Sequence, residues 1–151
     1  MIVVGVDPGL SGAIAWLDNG QLIAAEDVPV MDGRIDASTL ADMLASYPLP
    51  DVVVVEKVSS MPNQGVSSTF KFGQAYGAVL GVFGALKFRV VHVTPTRWKK
   101  DMFLGSDKEK ARASAIDRWP ESSSAFARKK DHGRAEAALI AAWYLDRTPN
   151  P

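Results

Sequence analysis

An apolar run at the start of the chain predicts a buried strand over residues 2–7, which ends in the carboxylate Asp7. The run is short, mostly β-branched and followed by a Pro-Gly turn, the pattern of an interior strand. Two more apolar runs, 12–17 and 21–28, flank Asn19-Gly20, a dipeptide that favours a tight hairpin. The chain is therefore predicted to open as a three-stranded antiparallel meander.

A second β-branched run, Val52–Val55, ends in another carboxylate, Glu56. A helix predicted over residues 36–47 leads into it, so this strand is expected to lie parallel to the first strand and beside it. Parallel neighbours end at the same edge of a sheet. Asp7 and Glu56 are thus predicted side by side at the edge where α/β folds place their ligands.

The remaining pattern predicts three more helices, over residues 67–86, 108–119 and 133–146, and a strand over 88–93. The first of these helices carries glycines at helical spacing, Gly73, Gly77, Gly81 and Gly84. Each glycine costs an isolated helix roughly 1 kcal/mol relative to alanine. Such a stripe is expected where another backbone packs closely, either the sheet or a second copy of the chain, and we expect part of it near a two-fold interface.

Composition restricts the classes of protein. The 151 residues, 47% of them hydrophobic, suffice for one globular domain, expected to span residues 1–151. The sequence has no cysteine, which excludes disulfides and thiolate metal sites. No stretch approaches the ~20 apolar residues of a membrane span, and the first residues lack the basic segment of a signal peptide. A cytoplasmic protein is expected.

The net charge of zero conceals an asymmetry between two parts of the chain. Residues 1–56 contain nine acids and one base, whereas residues 87–134 contain thirteen Lys or Arg and six acids. A basic region of this kind is typical of a face that meets a polyanion, although a solvated basic surface gives the same count.

Each strand-end acid has a structural alternative. An isolated carboxylate is costly in an apolar setting, so Asp7 and Glu56 both need a cation or hydrogen-bond donors. Asp7 could instead open the Pro-Gly turn as an Asx-turn residue. Glu56 could form a salt bridge with Lys57 or with a distant arginine.

The last helix is apolar on nearly every side except at Glu136. An acid in a first turn gains from the helix dipole, but His132 lies four residues earlier on the same face. Asp131 suits an N-cap or a further ligand, and His132 taken alone suits a cap or the surface. Together with Asp7 and Glu56, these groups suit one or two Mg²⁺ or Mn²⁺ ions that meet phosphate and support phosphodiester hydrolysis.

Six motifs follow one another along the chain: GVDPGLSGAIAW, VVVVEKV, SSTFKFGQAYG, TPTRWKK, DKEKARA and DHGRAEAALIAAW. In this order they resemble the motifs of the RuvC family of Holliday-junction resolvases, especially its phage-type branch, within the RNase H-like superfamily. The ordered set carries the resemblance, since Asp-x-Gly openings also occur in actin-like ATPases. The resemblance implies an α/β, RNase H-like fold with a five-stranded mixed sheet, its first three strands antiparallel, flanked by helices.

The resemblance also implies a homodimeric, Mg²⁺- or Mn²⁺-dependent endodeoxyribonuclease that resolves four-way DNA junctions by paired cuts. Carried over by position, Asp7 and Glu56 are the first two metal-binding acids, and Glu136 is the acid of the last helix. The fourth ligand is His132 or Asp131. His132 is preferred, because the family's usual aspartate before the final acid is replaced here by this histidine and a glycine.

DNA contacts follow from the same resemblance. Bacterial relatives place an aromatic wedge just after the second acid, and here the wedge must be Met61 or a later residue such as Phe70. Trp98 either stacks on a base or packs in the core, and Lys108 is the basic residue expected near the metals. Phosphate contacts are expected from Lys71, Arg97, Lys99, Lys100, Lys108, Lys110, Lys129, Lys130 and Arg134.

Two other functions are consistent with parts of the pattern. In an actin-like ATPase fragment, VDPGLSGAIA would form a phosphate loop, but such proteins need two domains of this kind. A non-catalytic module that binds branched DNA would leave three buried acids unexplained.

Overall fold

The structure, a computed structural model, describes residues 1–149, so the end of the predicted 1–151 domain lies outside it. Within that range, a five-stranded mixed sheet has the order β3-β2-β1-β6-β7. The strands in chain order are β1 (Ile2–Asp7), β2 (Ala13–Asp18), β3 (Gln21–Asp27), a small separate hairpin of β4 (Val30–Met31) and β5 (Arg34–Ile35), β6 (Val52–Glu56) and β7 (Val90–Val93).

Helices cover both faces of the sheet. They are α1 (Ala37–Ala45), α2 (Val66–Ala85), α3 (Pro95–Asp101), α4 (Lys108–Arg118) and α5 (His132–Arg147), with short 3₁₀ segments at Pro120–Phe126 and Lys129–Asp131. The predicted α/β class and the mixed sheet are confirmed. The short helix α3 and the β4–β5 hairpin were not predicted, because neither is long enough to show a clear periodicity.

The register of the strands confirms the predicted topology. β1 pairs antiparallel with β2 and parallel with β6, and β6 pairs parallel with β7. Alternate residues of β1 therefore enter two separate cores. Val3 belongs to the core beneath α5, and Val4 belongs to the core beneath α1 and α2.

Gly5 allows α5 to lie directly on β1. A Cβ at this position would lie 2.0 Å from the carbonyl oxygen of Ala137 and 2.7 Å from the backbone nitrogen of Ala141. Only hydrogen fits between the two backbones. Because Gly5 and Asp7 point to the same face of β1, this contact also sets the height of the α5 N-terminus above Asp7.

The glycine stripe of α2 does not face the sheet. That helix packs through Ala75, Val79 and Phe83, whereas a Cβ added at any of the four stripe glycines would meet nothing within 4 Å among the described residues. The sheet-packing alternative is therefore wrong, and the stripe lies on an open face of the protein.

No helix within residues 1–149 is both long and apolar enough to cross a bilayer. The predicted cytoplasmic location stays a prediction.

Candidate active site

Three carboxylates from three elements meet at one edge of the sheet. Val6 of β1 is paired with Val55 of β6, so the next residues, Asp7 and Glu56, end neighbouring parallel strands on the face covered by α5. Glu136 lies in the first turns of α5 and is 7% exposed. The side-by-side arrangement predicted for the two strand-end acids is present, and α5 brings the third acid to them.

Mutual repulsion and burial perturb this cluster. Burial, followed by the neighbouring charges of Glu56 and Glu136, raises the pKa of Asp7 from 3.8 to about 7, although the Gly9 backbone N–H and Lys99 act to lower it. Burial likewise raises the pKa of Glu56, with Glu136 acting in the same direction. Burial and like charges disfavour the ionised carboxylates, and a bound cation would relieve that cost, so the cluster is a candidate functional site.

Two protein groups partly neutralise the acids. The Nζ of Lys99 lies 3.1 Å from Oε1 of Glu136, and the indole Nε1–H of Trp98 donates to Oε2 of Glu56 over 2.6 Å. Glu56 therefore accepts a hydrogen bond from the uncharged Trp98 indole and does not form the salt bridge considered for it with Lys57 or an arginine. Among residues 1–149, no three carboxylate or imidazole groups surround one point closely enough to form a ready metal site, and two of the acids are turned to these donors.

The α3 segment supplies both donors and is fixed at its two ends. The Thr94 side chain accepts from the Arg97 backbone N–H and so caps the N-terminus. At the other end, Asp101 accepts from the indole of Trp143 in α5 over 2.8 Å and pairs with Arg147 over 3.2 Å. These contacts hold Trp98 and Lys99 against the α5 helix that carries Glu136.

His132 and Asp131 are placed differently from each other. The side chain of Asp131 is 1% exposed and accepts from the backbone N–H and the guanidinium of Arg128. Burial works against the charged form of Asp131, but those hydrogen bonds hold its pKa below the usual value. His132 is the first residue of α5, one turn before Glu136, and its Nδ1 is buried without a hydrogen-bond partner in the described part of the chain.

The predicted DNA-contact residues fall into two groups. Trp98 is fully buried, so the core-packing alternative is correct and base stacking by this ring is not. Lys99 is bound to Glu136, and Arg134 pairs with Asp27 at 2.8 Å. The remaining bases are exposed: Lys71, Arg97, Lys100, Lys108, Lys110, Lys129 and Lys130.

A cavity of about 370 Å³ joins part of this basic surface to His132. Its walls include Lys108, Lys129 and Lys130. Lys108 lines this cavity together with His132, but the lysine that contacts an acid of the cluster is Lys99. The position predicted for Lys108 near the metals stays a prediction.

Comparisons with known proteins find Holliday junction resolvases among the similar proteins. Over 93 residues, or 60% of its length, the chain is 34% identical to the chloroplastic Holliday junction resolvase MOC1 of Chlamydomonas reinhardtii. The chain spans about 10% of the length of that relative. No family model matches the sequence.

Solved structures give the fold. Thermus thermophilus RuvC in complex with a Holliday junction substrate superposes with a TM-score of 0.67 at 19% identity, over 95% of this chain and 94% of that one. The fowlpox virus Holliday junction resolvase superposes with a TM-score of 0.56 at 24% identity, over 97% and 98% of the two chains. These matches show that the chain has the fold of these two resolvases, an α/β fold with a five-stranded mixed sheet flanked by helices, as the ordered motifs predict.

Proposed function

We propose that this protein is a divalent-metal-dependent endodeoxyribonuclease that resolves four-way DNA junctions by paired phosphodiester hydrolysis. The observation that carries the proposal is the convergence of Asp7, Glu56 and Glu136 on one edge of a RuvC-like sheet, with the pKa of Asp7 raised to about 7. The curated relative and both solved neighbours are named for, or bound to, Holliday junctions. A non-catalytic module that binds branched DNA would leave unexplained the three acids built into the most apolar elements of the chain.

The donor set fits Mg²⁺ or Mn²⁺. Carboxylate oxygens are the ligands that hard divalent ions prefer, and Asp7, Glu56 and Glu136 supply them. The buried, unpartnered Nδ1 of His132 marks that imidazole as the fourth candidate ligand. Asp131 forms an ion pair with Arg128 and so fixes the start of α5 instead of binding the metal. Such ions would supply Lewis-acid stabilisation of the phosphate and a water nucleophile near neutral pH.

Lys99 has a definite task in this site. Its ammonium group lowers the pKa of Asp7 and of Glu56 and neutralises Glu136 through a 3.1 Å contact. It therefore keeps the acids together before a cation binds. Trp98 fixes the orientation of Glu56 through its indole N–H, so both residues preorganise the acids rather than contact DNA.

The exposed bases supply the contacts to the DNA backbone. Lys108, Lys129 and Lys130 form one group beside His132, and Lys71 and Lys100 lie on the surface of α2 and α3. Lysines in such numbers bind phosphates without reading sequence, and they hold the duplex arms against the acid edge.

The open glycine face of α2 supports a homodimer. The face bounded by Gly73 and Gly84 has no backbone against it among the described residues, and Phe70 on the same helix is 72% exposed. A second copy of α2 would cover both features. Two-fold symmetry also suits a substrate with two equivalent strands to cut.

The substrate assignment is tested with a labelled immobile four-way junction and a linear duplex of matched sequence. Each is incubated with Mg²⁺, with Mn²⁺ and with EDTA, and nicks are mapped on every strand. We expect paired, symmetric nicks on the junction only, in both metals and not in EDTA. Equal cutting of the duplex would contradict junction selectivity. Binding without cutting in either metal would indicate a binding module instead.

A further inference from the structure

Phe103 adopts a backbone conformation that its side chain disfavours. Its φ is 59°, in the left-handed region, where the Cβ of an L-residue crowds the following carbonyl oxygen. The other non-glycine residues with positive φ among residues 1–149 are Asn19, Asp32, Asn63 and Lys87. All four are polar, and Asn and Asp tolerate this region better than a bulky side chain does. The chain therefore accepts strain at Phe103 that glycine would avoid.

The left-handed conformation comes from the way in which α3 ends. The backbone N–H of Phe103 donates to the carbonyl of Lys100 over 3.1 Å, and that of Leu104 donates to the carbonyl of Lys99 over 2.9 Å. This pair of hydrogen bonds is the Schellman motif, in which the residue after the C-cap is most often glycine. Leu104 is 5% exposed and anchors the turn in the core. Two hydrogen bonds and an apolar anchor thus fix the backbone at Phe103.

The phenylalanine ring gains nothing from packing at this position. It is 91% exposed, whereas burial is what normally favours a large apolar side chain in a folded protein. A single exposed apolar residue is ordinary on a protein surface. One that also strains the backbone, at a position where glycine would satisfy the turn, points to a partner outside the chain.

The surroundings of Phe103 suit a polyanion. Lys99, four residues before it, contacts Glu136 of the acid cluster. Lys100 and Lys108, which flank Phe103 in the sequence, are both exposed. Four residues span at most about 14 Å, and successive nucleotides of a DNA strand are about 3.4 Å apart. The backbone of Phe103 therefore lies within roughly four nucleotide spacings of the lysine that contacts the acids.

We infer that Phe103 inserts its ring into the minor groove of a junction arm close to the cut, between two base pairs, while Lys100 and Lys108 contact the flanking phosphates. The inference rests on the proposed nuclease function and is separate from the wedge expected after the second acid. Apolar side chains that enter the minor groove partly unstack a base step and kink the duplex. The high exposure of the ring leaves both of its faces free, as insertion between two base pairs requires. Kinking costs least at pyrimidine–purine steps such as TpA, so Phe103 gives binding a preference for such a step near the cut.

The first test is a substitution that improves the turn and removes the ring. Phe103→Gly supplies the residue that the Schellman motif favours, so the melting temperature should rise by about 2 °C. The same variant should bind a fluorescently labelled four-way junction about 10-fold more weakly in EDTA, as measured by anisotropy, because the contact between ring and bases is lost. Phe103→Leu keeps an apolar wedge and should lose less affinity. A lower melting temperature for Phe103→Gly, or an unchanged affinity, would overturn the inference.

A second measurement detects insertion itself. Junctions that carry a TpA step at one of the four positions on either side of the cut are compared with junctions that carry ApA there. The wild type should bind about 3-fold more tightly to the junction with TpA at one of these positions, because that step is the more easily kinked. Phe103→Gly should show no such preference. A preference that survives Phe103→Gly, or none in the wild type, would contradict insertion.

Leu49→Ala is the matched control. Leu49 is 75% exposed and precedes β6, at the end of the sheet opposite to the acids. Its removal should change neither junction affinity nor the preference for TpA. A loss of affinity equal to that of Phe103→Gly would show that the effect is not specific to Phe103, and the inference would fail.

The binding measurements are made in EDTA, so they do not depend on cleavage. A protein that cuts junctions and binds them equally well as Phe103→Gly overturns only the insertion. Binding that depends on Phe103, without cleavage in Mg²⁺ or Mn²⁺, contradicts only the nuclease. A protein that binds no junction contradicts both.

Discussion

At the scale of single residues, burial of the Asp7 carboxylate lowers the stability of the folded protein, and the proposed metal site gives a reason for keeping the acid there. Its pKa rises from 3.8 to about 7, first through burial and then through the charges of Glu56 and Glu136. A carboxylate whose pKa is raised on folding destabilises the folded state once the pH exceeds the unfolded value. Lys99 offsets part of that cost, and a divalent cation would offset more.

Asp7→Asn should therefore stabilise the metal-free protein. The amide carries no charge to bury, so the free energy of unfolding should exceed that of the wild type at pH 7 by at most about 4 kcal/mol, less the share that water still screens. This difference in the free energy of unfolding between Asp7→Asn and the wild type should be absent near pH 4. It should grow as the pH rises from 3.8 to about 7 and then stay constant. Urea denaturation in EDTA across this pH range measures it.

Added Mg²⁺ provides the control for this prediction. It should stabilise the wild type more than Asp7→Asn, because a cation that binds only the folded state raises stability by mass action. An Asp7→Asn variant that is less stable than the wild type at pH 7, or a gap that does not change with pH, would contradict the description of Asp7.

Some single-residue assignments were accessible from the sequence and others were not. The two strand-end acids followed from apolar runs that end in a carboxylate, because strand order and direction then determine where the acids meet. The contact of Lys99 with Glu136 did not follow, since it joins elements that are far apart in the chain. The ion pair between Arg128 and Asp131 could have been predicted from their i, i+3 spacing. The sequence analysis instead considered Asp131 as an N-cap or a metal ligand, because it lies next to His132 and close to Glu136.

At the scale of elements, the site depends on how closely α5 approaches β1. The two backbones touch at Gly5 of β1. A second close contact lies at the start of α5, where a Cβ added to Gly133 would lie 2.9 Å from the carbonyl oxygen of Ser11. Two glycines thus fix both the distance and the position of α5, and Glu136 lies between the two contacts. The sequence shows these glycines, but it does not show that α5 lies against Gly5 or that the Ser11–Gly12 turn lies against Gly133.

Gly5→Ala should destabilise the protein and disturb the acid cluster. A Cβ 2.0 Å from the Ala137 oxygen forces α5 away from the sheet, at a cost of about 3 kcal/mol, and junction cleavage should fall with it. Gly65→Ala is the matched control, because its added Cβ meets nothing within 4 Å and its φ of −62° suits alanine. Chemical denaturation compares the two. Similar free energies of unfolding for both variants would contradict the close contact.

At the scale of the whole molecule, the open glycine face predicts self-association. Gly77→Glu places a charge on that face, so it should convert a dimer into a monomer, as measured by sedimentation velocity at micromolar concentration. Ala113→Glu, on an exposed position of α4, should leave the dimer intact. A wild type that is monomeric at this concentration would contradict the two-fold interface.

The surface charge predicts how junction binding depends on salt. Replacing Lys129 and Lys130 by glutamine should weaken binding and reduce the slope of log K against log salt by about 2, since each phosphate contact contributes about 1. Arg89→Gln is the control, because this exposed residue precedes β7 at the opposite end of the sheet from the acids. An equal effect on the slope from Arg89→Gln would show that binding does not use the basic face.

The central claim is that Asp7, Glu56 and Glu136 form one metal-dependent centre for cleavage of junction DNA. The most direct measurement is the single-turnover nicking rate of Asp7→Asn, Glu56→Gln, Glu136→Gln and the double variant Asp7→Asn/Glu136→Gln, each saturated with a four-way junction in Mg²⁺. Residues that act as a unit lose activity together, so we predict a loss of at least about 1,000-fold for each single variant and no further loss for the double variant. Junction affinity should change little, because the phosphate contacts remain. A single variant that still nicks the bound junction at near the wild-type rate would contradict the assignment of the three acids.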